Sequence, residues 1–178
     1  IQNGGKLDIL YSPVQIGGSS TINNYGTITV KYGTTLDVSG KLILSNTGKL
    51  VIEDGATVIL EIGSLLEYFN GGQIIMYGPN SRLIVKSSIK VMDLANFNII
   101  QNGTSCGKII VDSELAAFIA ENPNATFTLN GSGKNTPFIK IKKNAKLWVM
   151  NGLSKKLTIS DANVLFEEGA TLRCDQPF

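Results

Sequence analysis

Apolar and polar residues alternate in short runs along this chain, and a glycine closes most of the runs. Between Gly26 and Gly33, Ile28 and Val30 alternate with Thr27 and Thr29; between Gly48 and Gly55, Leu50 and Ile52 alternate with Lys49 and Val51. A period of two marks a β-strand with one face in a core. Glycines fall at positions 26, 33, 40, 48, 55, 63, 72 and 78, and every third one recurs after 22 to 24 residues. Glycine supplies the tight or left-handed backbone that turns a corner. Three strands and three corners per 22–25 residues predict one coil of an all-β parallel β-helix, or β-solenoid, expected to be right-handed.

The repeat also predicts which residues stack. Leu50 is expected over Ile28 and under Ile74, and Ile52 between Val30 and Met76, while Leu36, Val58 and Leu83 form a second inward column. The phrase KLILSN (41–46) aligns with SLLEYF (64–69) and SIKVMD (88–93). Near the end, Glu167 to Leu172 reads like Glu53 to Val58, and Ile139 to Leu147 repeats it with Asn144 in place of the glycine. Coils stacked at about 4.8 Å make a single domain over 1–178, about seven or eight coils and about 35 Å long.

One segment departs from the pattern. Leu115, Phe118 and Ile119 lie at helical spacing after a capping Asp112 or Ser113, and Asn122-Pro123 ends the run, which predicts a short helix near 113–121. The stretch 130–137 reads as a loop, and the register between 87 and 137 is expected to be less regular.

Composition narrows the chemistry. The 178 residues include no histidine, which excludes Ser-His-Asp and Cys-His catalytic groups and histidine metal sites. No apolar run approaches the length of a membrane span. A net charge of +2 gives no electrostatic case for nucleic acid or a membrane surface. The acids Asp37, Glu53, Asp54, Glu61 and Glu67 scatter over different strands and corners, with Asp37 expected beside Ile59 and Ile84 rather than beside another carboxylate. Glycoside chemistry needs two carboxyl groups about 5–9.5 Å apart, and calcium needs six to eight converging oxygens; the pattern offers neither. The reading is non-enzymatic, with no cofactor and no metal. The Thr-x-Thr runs at Thr27 and Thr126 are not repeated from coil to coil, so an ice-binding ladder is not expected either.

What points outward is more informative. Val51 and Ile75 are expected outside on one sheet, Ile59 and Ile84 on the second and Ile43 on the third, where stacked apolar residues would make an interface for self-association or a neighbouring domain. The alternative is that β-branched residues merely suit strands. Between Glu121 and Asp161 there is no acid, yet Lys134, Lys140, Lys142, Lys143, Lys146, Lys155 and Lys156 fall there, with Trp148 among them. A solvated basic face explains such a run; the functional reading is a grip on an anionic glycan or another partner. Cys106 and Cys174 are either separate thiols or one bridge across a long loop, and the bridge is the expectation.

The segments GTITVKYGTTLDVSGKLILSNTGKLVIEDGATVILE (26–61) and 146–174 resemble secreted bacterial β-solenoid proteins, similar to the stalks of autotransporter passengers and to repetitive surface proteins of Bacteroidetes. The resemblance covers about half of the chain and carries over no catalytic residue. It implies an extracellular, cell-surface structural or adhesive module. With Ile as its first residue and no signal peptide, the chain reads as a fragment of a larger surface protein whose flanking domains or fellow surface proteins are its partners. A polysaccharide-active β-helix enzyme and a self-assembling fibre subunit are the alternatives.

Overall fold

A computed structural model of the chain describes residues 1–92, 95–102, 106–120, 126–131, 137–150, 157–160 and 163–174. Strands follow one another in threes. The first coil holds β1 (Lys6–Ile9), β2 (Val14–Ile16) and β3 (Thr21–Asn24), and the second β4 (Thr27–Val30), β5 (Thr35–Val38) and β6 (Lys41–Leu44). The third holds β7 (Lys49–Ile52), β8 (Thr57–Leu60) and β9 (Leu65–Tyr68), and the fourth β10 (Gln73–Tyr77), β11 (Arg82–Val85) and β12 (Ser88–Val91). Then come β13 (Asn96–Asn102), β14 (Lys108–Val111) and β15 (Ala116–Ala120), followed by β16 (Thr126–Asn130), β17 (Pro137–Ile141) and β18 (Lys146–Met150). The last coil is β19 (Leu157–Ser160), β20 (Asn163–Phe166) and β21 (Thr171–Cys174).

Each strand pairs with the strands three before and three after it, giving three parallel seven-stranded sheets. The chain is therefore a parallel β-solenoid. Its columns follow the expected register: Leu50 pairs with Ile28 and Ile74, and Ile52 with Val30 and Met76. Val58 pairs with Leu36 and Leu83, and Ile59 separates Asp37 from Ile84. Repeating leucine, isoleucine and valine at alternate positions fills the interior, and each such side chain contributes about 1.5–3 kcal/mol on burial.

The third sheet is shifted by one residue from the aligned phrases. Lys41 pairs with Leu65 rather than Ser64, and Leu65 in turn with Ser88. The corner between β8 and β9 holds four residues where that between β5 and β6 holds two, with Gly63 in a left-handed conformation (φ 84°). Coil length is accordingly elastic. The ion pair from Lys31 to Glu53 spans 22 residues and that from Glu61 to Lys86 spans 25, whereas Asn96 meets Thr126 after 30. The two extra residues of the third coil fall at a corner, and the pairing of β17 with β20 shifts between Pro137 and Ile139.

The segment expected to be helical is a strand. Residues Ala116 to Ala120 form β15, paired in parallel with β12 on one side and β18 on the other. Ala116, Phe118 and Ala120, spaced at a period of two, are buried, and so is Ala117 between the first two. A neighbour on each side outweighs the weak helical preference of a short alanine-containing run. Phe118 and Phe127 stack with ring centroids 4.6 Å apart, and Phe97 lies 4.6 Å from Phe127 and 5.0 Å from Tyr68.

Two corner devices anchor the third sheet. Asn24, fully buried, donates from Nδ2 to the Lys49 carbonyl at 2.9 Å and accepts from the Gly26 amide at 3.1 Å. Tyr68, in the same column, donates its hydroxyl to the Gly72 carbonyl, and burial raises its pKa above the ordinary value. Asn144 takes the left-handed corner conformation (φ 58°) that Gly55 adopts elsewhere (φ 73°), as its place in the repeat predicts.

Cys106 and Cys174 are not bridged. Cys106 is buried just before β14 of the second sheet, whereas Cys174 is exposed at the end of the third sheet, in register with Val149. They occupy different coils and different sheets, so the expected staple is absent.

Candidate functional site

The lysine run divides between sheets. Lys140 lies on the outer side of β17, Lys142 and Lys143 turn the following corner, and Lys146 and Trp148 lie on β18. Each of the first three meets an acid on a neighbouring coil: Lys140 contacts Glu167 at 2.5 Å, Lys142 contacts Asp112 at 2.9 Å and Lys143 contacts Glu168 at 2.7 Å. The hydrogen bond from Lys140, reinforced by one from the Lys143 amide, holds the Glu167 carboxyl below the usual carboxylate range. Acids far away in sequence thus answer three of the four described lysines of the run, Lys134 lying outside the described residues. Lys155 and Lys156 lie outside the described residues.

Trp148 is the centre of a second arrangement. Its indole N–H donates to the Glu114 carbonyl at 3.1 Å, and the Lys146 ammonium and Arg173 guanidinium stand 5.1 and 4.3 Å from its ring centroid. Beside it Leu115, Ile119 and Met150 line a shallow hollow of about 260 Å³.

The outward apolar residues lie on three faces. Val51 and Ile75 are adjacent on the first sheet and continue to Ile100. Ile59 and Ile84 are adjacent on the second and continue to Ile110, while Ile43 sits between Asn23 and Glu67 on the third. Their side chains, Ile100 excepted, are half-buried along the strands.

A trough on the first sheet was not anticipated from the sequence. Its volume is about 560 Å³, with Thr29 of β4 and Val51 of β7 as its floor. Tyr32, at the corner after β4, is 76% exposed, and Tyr77, at the end of β10, is 39% exposed. Between them stand Lys31 and Glu53, joined at 2.9 Å, and Asp54. The hydrogen bond to Glu53 raises the Lys31 ammonium above its ordinary pKa; the Glu53 and Asp8 charges add to this and burial opposes it. Glu53 also accepts from the Tyr32 amide at 3.2 Å, and Asp54 accepts from the Asn80 amide at 2.9 Å. Continuing the column of Ile52 and Met76 by one residue places Glu53 beside Tyr77, so the repeat itself held the signal.

Among the described residues no three or more Cys, Asp and Glu side chains gather as a metal site. Glu53, Glu61 and Glu67 sit in ion pairs and Asp54 in a corner hydrogen bond, an arrangement that ties coils together, while one buried oxygen of Asp37 has no hydrogen-bond partner.

No protein-family model and no curated protein matches the sequence. Among solved structures, a hyper-glycosylated TibA fragment modified by TibC is similar at 14% identity over 97% of this chain and 96% of that one, with a TM-score of 0.16. A superposition at that score establishes no shared fold, and the solenoid assignment rests on the strand pairing of this chain.

Proposed function

We propose that the chain is a non-enzymatic structural module, a rigid spacer or adhesive segment of an extracellular bacterial surface protein. The observation that carries this is the continuity of the three seven-stranded sheets, whose inner faces are packed with apolar side chains from coil to coil. A body of stacked coils keeps its length and direction, which suits holding other domains apart. Ion pairs between neighbouring coils, such as Lys41 with Glu67 at 2.6 Å and Lys86 with Glu61 at 3.1 Å, run along its exterior. The likeness of its repeat phrase to secreted solenoid stalks supports the location and the role.

Small-angle scattering together with incubation on acidic and neutral polysaccharides tests the reading. An elongated particle that releases no reducing ends and no unsaturated uronate is the expected result. Depolymerisation of any of the polysaccharides overturns it in favour of an enzyme.

A second reading, a subunit that stacks end to end, draws on the last coil. There Ile159, Phe166 and Leu172, which continue the inner columns, are 36%, 47% and 38% exposed. Sedimentation across a concentration series separates the two: growth into long particles supports stacking, and a constant monomer removes it.

A further inference from the structure

We propose that the trough between Tyr32 and Tyr77 is a binding site for a neutral oligosaccharide, laid against the first sheet with its sugar rings on the tyrosines. The proposal does not depend on the spacer reading.

The aromatic rings carry the first part of the argument. Tyrosine offers a large apolar face and one polar tip, and ligand sites are lined largely by apolar and aromatic side chains with a few polar groups. The C–H face of a pyranose is apolar and matches such a ring, while its equatorial hydroxyls point sideways. Tyr32 is also held in place: a Cβ added to Gly55 would come within 3.0 and 3.1 Å of its ring carbons, so the ring rests on the glycine of the next coil. Its backbone is fixed from the same side by the hydrogen bond from its amide to Glu53. A ring positioned before the ligand arrives costs less ordering on binding.

The polar groups carry the second part. Lys31 and Glu53 neutralise one another at 2.9 Å, and Asp54 is occupied by the amide and side chain of Asn80 at 2.9 and 3.4 Å. The formal charge of these three side chains is negative by one, so an anionic glycan is disfavoured. What remains available are second lone pairs on the carboxylates, N–H groups of the ammonium, and the Thr29 hydroxyl on the floor. Sugar hydroxyls both donate and accept, and they fit a lining of paired donors and acceptors without demanding a charge. Val51 supplies the apolar floor beneath. A volume of about 560 Å³ lies within the ordinary range of ligand sites.

The test uses cellohexaose and maltohexaose as probes, with saturation-transfer NMR and calorimetry on the full chain. Binding of at least one probe is expected, weakened fivefold or more by Tyr77→Ala and by Tyr32→Ala, and largely kept by Tyr32→Phe. Tyr11→Ala, whose exposed ring lies outside the trough, is expected to leave affinity unchanged. Because Tyr32 also covers Gly55, circular dichroism accompanies each variant, and Tyr77→Ala provides the arm independent of that corner. Three results overturn the proposal: no saturation transfer to either hexaose at millimolar concentration, undiminished binding by the Tyr32→Ala/Tyr77→Ala double variant, or tighter binding of an oligogalacturonate than of both neutral probes.

Discussion

The ring of Tyr32 occupies the space above Gly55, where a Cβ would approach to 3.0 Å. The glycine serves the corner through its positive φ of 73°, and it also leaves room for an aromatic side chain of the coil before. Gly48 is bounded differently: a Cβ there would stand 2.0 Å from the Asn24 carbonyl oxygen. The exposed ring can give by the few tenths of an ångström needed and keep its place, whereas a backbone carbonyl in a paired strand cannot. Gly48→Ala is therefore expected to destabilise by about 1–3 kcal/mol or more, and more than Gly55→Ala. Gly33 has a positive φ of 72° and open space around it, so Gly33→Asn should be nearly neutral, as Asn144 at φ 58° illustrates. Urea unfolding of the three variants checks this order.

Phe127 touches both Phe97 and Phe118 at centroid distances of 4.6 Å and is fully buried. Phe127→Ala is expected to cost about 3–5 kcal/mol, because β16 is held between two neighbours and cannot collapse onto the void. Chemical denaturation measures it. A loss below about 1 kcal/mol would mean that the aromatic cluster packs loosely.

Glu167 titrates below its ordinary value because Lys140 and the Lys143 amide stabilise its charged form. A carboxyl depressed in the folded state favours folding at pH values above its unfolded pKa. That contribution is lost as the pH falls through the folded value. Wild type and Glu167→Gln should therefore differ in Tm at neutral pH and converge in acid. A constant gap across the acid range would assign the effect of the substitution to packing rather than to charge. The stabilisation itself is small, as is usual for an exposed, solvent-screened pair.

The thiols differ in access. Cys174 is exposed and Cys106 is buried, so one equivalent of an aromatic disulfide reagent should react with the folded protein and a second after unfolding. Mobility on electrophoresis should be the same with and without reductant. Failure of either thiol to react in denaturant without reductant would restore the bridge.

Much of the fold was legible because the inner columns are monotonous. Ile28, Leu50 and Ile74 align whichever way the chain is read, and burial of one face fixes a register that a single-residue slip would invert. Corners are less constrained. The two extra residues around Gly63 do not interrupt the alternation of the strands on either side, so the aligned phrases set Ser64 rather than Leu65 beside Lys41. Residues 115–119 misled for another reason: Leu115, Phe118 and Ile119 satisfy a helical period, while Ala116, Phe118 and Ala120 satisfy a strand period. Only the neighbouring strands decide between them. The ion-paired state of the lysine run was hidden because its acids, Asp112, Glu167 and Glu168, lie one coil away. Tyr32 and Tyr77 are brought together by the repeat, but neither belongs to a motif that names a site.

The direction of the hydrogen bonds gives this rod an anisotropic mechanics. Strands run around the coil, so the backbone bonds that join coils point along the long axis. Sideways load meets three sheets at once and a packed interior. Tension that draws the backbone off lengthwise meets only the ladder of one coil at a time, whose bonds open one after another. Under force such a body should unwind as a spool does, releasing about one coil per event with low resistance, while untouched coils remain intact. A body built this way is stiff when pushed aside and compliant when pulled lengthwise.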